Sequence, residues 1–142
     1  MLFEFLKHNV ELCIMIVLGV MSFISIWFLF ERIVFFKKVN LNDFKNADEL
    51  EIALSRNLTT LYIIYSNAPY IGLLGTVAGI MITFYDMGLS QSIDAKTIMI
   101  GLSLALKATA TGLLVAIPTL MFYNALNRKV DVLVTKFRNQ KQ

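Results

Sequence analysis

The chain has 142 residues, of which 57% are hydrophobic and only 16% charged, with a formal net charge of +3. Soluble domains average about 45–50% apolar and about 25% charged, so a single large soluble core is disfavoured, and the spread-out basic residues exclude a nucleic-acid surface, which needs clustered Lys and Arg among stacking aromatics. Cys13 and His8 are each alone in the sequence, which leaves no internal disulfide and no metal site at ligand spacing; Cys13 is read as a small buried apolar residue.

The first apolar run is Leu12–Phe30. At about 1.5 Å per helical residue it reaches about 28 Å, against a hydrocarbon core of about 30 Å. A cleaved signal peptide carries positive charge before its apolar run and small residues after it. Here Glu4 and Glu11 outnumber Lys7 before the run, and Glu31, Arg32, Lys37 and Lys38 follow it. The reading is an uncleaved anchor with its N-terminus outside. In the segment 31–67, Asn42 or Asp43 is expected to cap one short helix, and Asp48 another that runs to about Arg56.

The second span is Pro69–Tyr85, extended backwards through Leu61–Ser66, with Pro69 near a helix start or at a kink. Asp86–Thr97 makes a short polar link. The third span is Ile98–Tyr123, interrupted by Lys107 and carrying Pro118. In the tail 124–142, Val130, Leu133, Val134 and Phe137 fall at helical spacing and continue the third helix beyond the membrane. The positive-inside rule orients these spans. Ten basic residues lie in 31–67 and the tail, against only Lys7 and Lys96 on the other side. The expected fold is therefore an all-α membrane protein of one domain, 1–142. Three transmembrane helices, about 12–30, 69–85 and 98–123, carry short cytoplasmic helical extensions in 31–67 and 124–142, and the N-terminus is outside.

Helical geometry places successive residues 100° apart. Pro69, Gly72, Thr76, Gly79 and Thr83 then share a narrow strip of the second span, and Ala105, Thr109, Gly112 and Ala116 a comparable strip of the third. Small residues let backbones approach closely, and a Gly75-x-x-x-Gly79 pair adds to the packing surface. A hydroxyl within each strip needs a partner or a wet cavity. The alternatives are a packing seam, with each Thr bonded back to its own helix, and a polar path. The spans contain no carboxylate, and no catalytic set, phosphate loop or HExxH accompanies them, so an enzyme is not expected, and neither is a cofactor. Lys107 lies about 160° from Thr109 around the helix, which points it away from the strip. Three roles are open to it: reaching toward the outer headgroups, bonding to an adjacent subunit, or pairing with a partner's carboxylate. The subunit contact is favoured, with Thr111 on the same side able to accept a hydrogen bond.

Two segments resemble a known family. Pro69-Tyr-Ile-Gly-Leu-Leu-Gly-Thr-Val-Ala-Gly-Ile-Met81 is similar to the second-span motif of the ExbB/TolQ/MotA proton-channel family. Ala105-Leu-Lys-Ala-Thr-Ala-Thr-Gly-Leu-Leu-Val-Ala-Ile-Pro118, followed by Tyr123-Asn124, is similar to its third-span motif, and Glu31-Arg32 also fits. The layout resembles the ExbB branch, with the TolQ branch or a non-conducting oligomeric scaffold as alternatives. The resemblance implies a homo-pentameric ring in the bacterial inner membrane. The ring surrounds an ExbD-like single-span protein whose membrane aspartate titrates, and proton flow then drives a TonB-like protein and transport across the outer membrane. It also implies that Thr76 and Thr109 line the pore, while Gly72, Gly75, Gly79, Ala105, Gly112 and Ala116 pack the helices. Membrane lipid is the remaining partner, and no nucleic acid is expected. Leu104 departs from the pattern, since many ExbB-branch members carry a glutamate there.

Overall fold

The computed structural model describes residues 2–89 and 94–140, and every regular element among them is helical. Helix α1 spans Leu2–Lys38, α2 spans Ala47–Ser55, α3 spans Leu58–Leu89 and α4 spans Ala95–Gln140; a single 3-10 turn, Leu41–Asp43, lies between α1 and α2. Helices α1, α3 and α4 are each long and apolar enough to cross a membrane. Their lengths, 37, 32 and 46 residues, correspond to about 56, 48 and 69 Å at 1.5 Å per residue, so each outruns a bilayer core. The third helix continues through the tail without a break, as the spacing of Val130, Val134 and Phe137 requires. Of the expected polar link, residues 90–93 lie outside the described residues, while its first and last residues belong to α3 and α4.

Helices α3 and α4 form a long antiparallel hairpin with the most extensive contact in the molecule, and α1 lies along it. Near one end, Leu50 and Leu54 of α2 join Leu58, Leu61, Leu126, Val130, Val134 and Phe137 in a buried cluster. Further along, Ile14 and Leu18 of α1 meet Ala68, Ala108 and Ala116. Only one stripe of α1 faces the hairpin. Leu12, Ile16, Val20, Phe23, Trp27 and Phe30 are exposed on its other sides, as suits a lipid-facing surface. Cys13 falls on that open side and is exposed, contrary to the expectation of burial; two residues flanking a seam position need not share its direction.

The caps also differ from expectation. Asn40, not Asn42 or Asp43, caps the 3-10 turn, its side chain accepting from the Asn42 amide at 3.1 Å. Asn46, not Asp48, caps α2: its extended backbone stands outside the helix and its carboxamide oxygen accepts from the Glu49 amide at 2.7 Å. Glu49 answers by accepting from the Lys45 amide at 3.0 Å, while Asp48 sits in the first turn, where negative charge favours the helix dipole. Pro69 is eleven residues inside α3, away from its start. Prolines are tolerated inside membrane-type helices where neighbouring groups satisfy the freed backbone.

Removing the α2 cap gives a local test. Asn46→Ala is expected to weaken α2 by about 1 kcal/mol, read as roughly fivefold faster hydrogen exchange over 47–55 with α3 and α4 unchanged. Uniform acceleration across all helices, or none in α2, contradicts the assignment.

Candidate functional site in the α3/α4 seam

The seam is built by absence of side chains. A Cβ placed on Gly72 would lie 2.7 Å from the Ala108 carbonyl oxygen, and one on Gly112 would lie 2.6 Å from the Ala68 carbonyl oxygen. The two glycines face each other, each Cα about 3 Å from where the other's Cβ would stand. One turn away, Gly75 meets the Ala108 methyl and the Ile14 side chain; beyond it, Gly79 meets Ala105, and Gly101 meets Thr83. A step along α3 is thus matched by a step back along α4. Ala105 is buried on this line, and Ala116 is buried in the cluster with Ile14 and Leu18.

This register brings Thr76 and Thr109 together, and their hydroxyls are in direct hydrogen-bond contact. Thr76 is 8% exposed and Thr109 half-buried. Thr76 Oγ1 also lies 3.1 Å from the Ala105 carbonyl oxygen and 3.4 Å from that of Gly72. Thr109 Oγ1 lies 3.3 Å from the Gly72 carbonyl oxygen. Each hydroxyl has one proton and two lone pairs, so two arrangements satisfy the pair. In one, Thr109 donates to Thr76, which donates to Ala105. In the other, Thr76 donates to Thr109, which donates to Gly72. A concerted rotation of both hydroxyls interconverts them and reverses the pair's dipole. Neither Thr is confined to its own helix's carbonyl. Thr83, by contrast, donates to Gly79 of its own helix at 2.8 Å.

A cavity of about 240 Å³ lies beside the seam between α1, α3 and α4, lined among others by Gly75, Gly79, Thr83, Leu104, Glu11 and Asp86. Lys107 stands near it. Its Nζ is 3.7 Å from a Glu11 carboxylate oxygen of the same chain, a partner that the reading of Glu11 as mere flanking charge overlooked. Thr111 does not accept from the Lys107 amine; its hydroxyl donates to the Lys107 backbone carbonyl at 2.9 Å.

Other polar ties escaped the sequence reading. Ser25 of α1 and Thr119 of α4 share a buried hydrogen bond of 2.8 Å. Arg32, 2% exposed, donates to the Ala53 carbonyl at 3.0 Å and pairs with Glu31, which also accepts from Asn57 at 2.9 Å. Asn57, at φ 66°, makes the left-handed turn between α2 and α3, a conformation asparagine tolerates. The available signal was the spacing of Arg32 and Ser25 on one face with Leu18 and Ile14. Tyr62, Tyr65 and Tyr123 cluster nearby, with ring centroids 5.2–6.1 Å apart.

Comparison with known proteins places this geometry. The chain is similar to the biopolymer transport protein ExbB of Helicobacter pylori, at 60% identity over 96% of this chain and 94% of that protein. It is 45% identical to the biopolymer transport protein ExbB of Aquifex aeolicus, over 89% of this chain and 86% of that protein. The Tol-Pal system protein TolQ of Pseudomonas aeruginosa matches at 37% identity over 64% of this chain and 42% of that protein. Residues 38–139, which carry α2, both seam helices and most of the tail, match the family described as MotA/TolQ/ExbB proton channel, and with the near full-length relatives this settles that the chain belongs to that family.

Proposed function

We propose that the chain is the ring-forming subunit of a proton-driven motor in the bacterial inner membrane. Five copies enclose a single-span, ExbD-like partner whose membrane aspartate carries the proton, and the motor energises a TonB-like protein for transport across the outer membrane. The distribution of Lys and Arg supports a periplasmic N-terminus and a cytoplasmic tail. The relatives named for ExbB, matched over most of their length, favour this reading over a TolQ-type role.

The observation that carries it is the Thr76–Thr109 pair. Two hydroxyls with two interconvertible bonding patterns, on a seam too narrow for side chains, can donate to a neighbouring carboxylate or accept from a neighbouring carboxylic acid, and so suit a carboxyl that gains and loses a proton. Thr109 has part of its surface open, which supports its meeting the partner's carboxyl directly. Gly72, Gly75, Gly79, Ala105, Gly112 and Ala116 set the helix spacing that keeps the hydroxyls in contact.

Thr→Val keeps the shape and removes the hydroxyl. Thr76→Val and Thr109→Val are expected to leave the complex assembled while lowering proton flux in proteoliposomes at least tenfold and abolishing growth on scarce iron. Full flux and growth in both variants would leave a packing seam only. Native mass spectrometry of the complex with its single-span partner is expected to show five copies of this chain; a stable monomer or dimer in mild detergent contradicts the ring.

A further inference from the structure

Helix α1 turns one face toward its neighbours along Glu11, Ile14, Leu18, Met21, Ser25, Phe28 and Arg32, a strict alternation of three- and four-residue steps. That spacing keeps one face of a helix against a neighbour. Ile14 and Leu18 at its centre are buried, Ser25 is buried against Thr119, and Arg32 is buried against Ala53. Glu11 continues the same line toward the N-terminus, and there it meets Lys107.

An apolar seam specifies the register of two helices poorly, because a slide of one turn replaces one apolar contact with another. Polar residues on such a seam fix register, since a slide leaves them unpartnered. For the C-terminal half of α1, Ser25 does this against Thr119 of α4, and Arg32 against Ala53 of α2. Glu11 lies fourteen residues before Ser25, about 21 Å along the helix, so the Ser25–Thr119 bond does not by itself hold that end of α1. Lys107, twelve residues into α4, is about 18 Å from that helix's start. Glu11 and Lys107 are each about half exposed, and at 3.7 Å each offsets the charge of the other.

We infer that Glu11 and Lys107 are mutual counter-ions that fix the register of the N-terminal half of α1 on α4, and so hold the Glu11 wall of the cavity in place. The two are positioning residues. The inference concerns contacts within one chain and stands apart from proton flow.

Charge exchange tests it in the full complex. Glu11→Lys and Lys107→Glu each place like charges together and are expected to lower the yield of intact complex on native electrophoresis at least fivefold. The exchanged pair, Glu11→Lys with Lys107→Glu, is expected to recover to within twofold of the unsubstituted protein. An exchanged pair as poor as the worse single variant, or a single variant with unchanged yield, overturns the pairing. A neutral double variant, Glu11→Gln with Lys107→Gln, leaves no unpaired charge and is expected to assemble. Its α1 is free to shift, so maleimide labelling of the native Cys13 is expected to change at least threefold in rate. An unchanged labelling rate overturns the register role. Neither readout uses proton flux, so the outcome is separable from that of the motor reading.

Discussion

Gly112→Ala is expected to destabilise the α3/α4 hairpin by about 2 kcal/mol, although alanine is the better helix former by about 1 kcal/mol. The added methyl would stand 2.6 Å from the Ala68 carbonyl oxygen and 3.1 Å from Gly72 Cα. Both are backbone atoms within a helix and cannot turn aside, so the helices must separate. Overpacking of this kind costs typically about 1–3 kcal/mol, and here separation also pulls Thr109 from Thr76, one turn away. Gly72→Ala is expected to act alike, because its methyl would stand 2.7 Å from the Ala108 carbonyl oxygen. The double variant should lose less than the sum, since one displacement relieves both clashes. Gly19 provides the control: nothing lies within 4 Å of its notional Cβ, so Gly19→Ala is expected to be neutral or stabilising by up to about 1 kcal/mol. Thermal denaturation in detergent and proton flux measure both consequences. A Gly112→Ala protein as stable as the original would mean that the hairpin has slack the structure does not show.

Arg32→Met is expected to cost about 2 kcal/mol, chiefly by leaving the Ala53 carbonyl without its charged donor, because Glu31 is 40% exposed and keeps much of its hydration. The guanidinium donates to Ala53 at the last turn of α2, holds Glu31, and covers the Phe35 ring at 4.4 Å from its centroid. Methionine keeps much of the packing, so the loss reports the polar contacts: the Ala53 carbonyl is left without its donor, and Glu31 loses the group that orients it toward Asn57. Arg32→Lys keeps the charge but lacks the planar fork that serves two acceptors at once, and is expected to recover less than half of the loss. Glu31→Gln together with Arg32→Met is expected to be close to Arg32→Met alone, because the Glu31 carboxylate is 40% exposed and is solvated without its partner. Chemical denaturation of the purified protein, with hydrogen exchange over α2, separates these cases. If Arg32→Lys proves as stable as the original, the fork geometry is irrelevant and only the charge matters.

The number and order of the long helices were determined by the sequence alone, as was the continuation of the last helix into the tail. Apolar length and residue spacing are local quantities, and a bilayer or a packed seam selects on them directly. The same holds for the strips of small residues, because 100° per residue is a property of one helix. What one helix cannot contain is its rotation and register against another. A seam of Gly and Ala admits several nearly equivalent alignments, and only the tertiary structure chose the one in which Gly72 faces Gly112 and Thr76 meets Thr109. The ties of α1 were decided in the same way. Glu11 read as flanking charge and Lys107 as a contact for another subunit, and nothing local says that α1 carries one to the other. Capping differed for another reason: asparagine and aspartate are both able caps, the expected cap was Asp48, and the helix starts earlier, at Ala47, with Asn46 as its cap and Asp48 in its first turn.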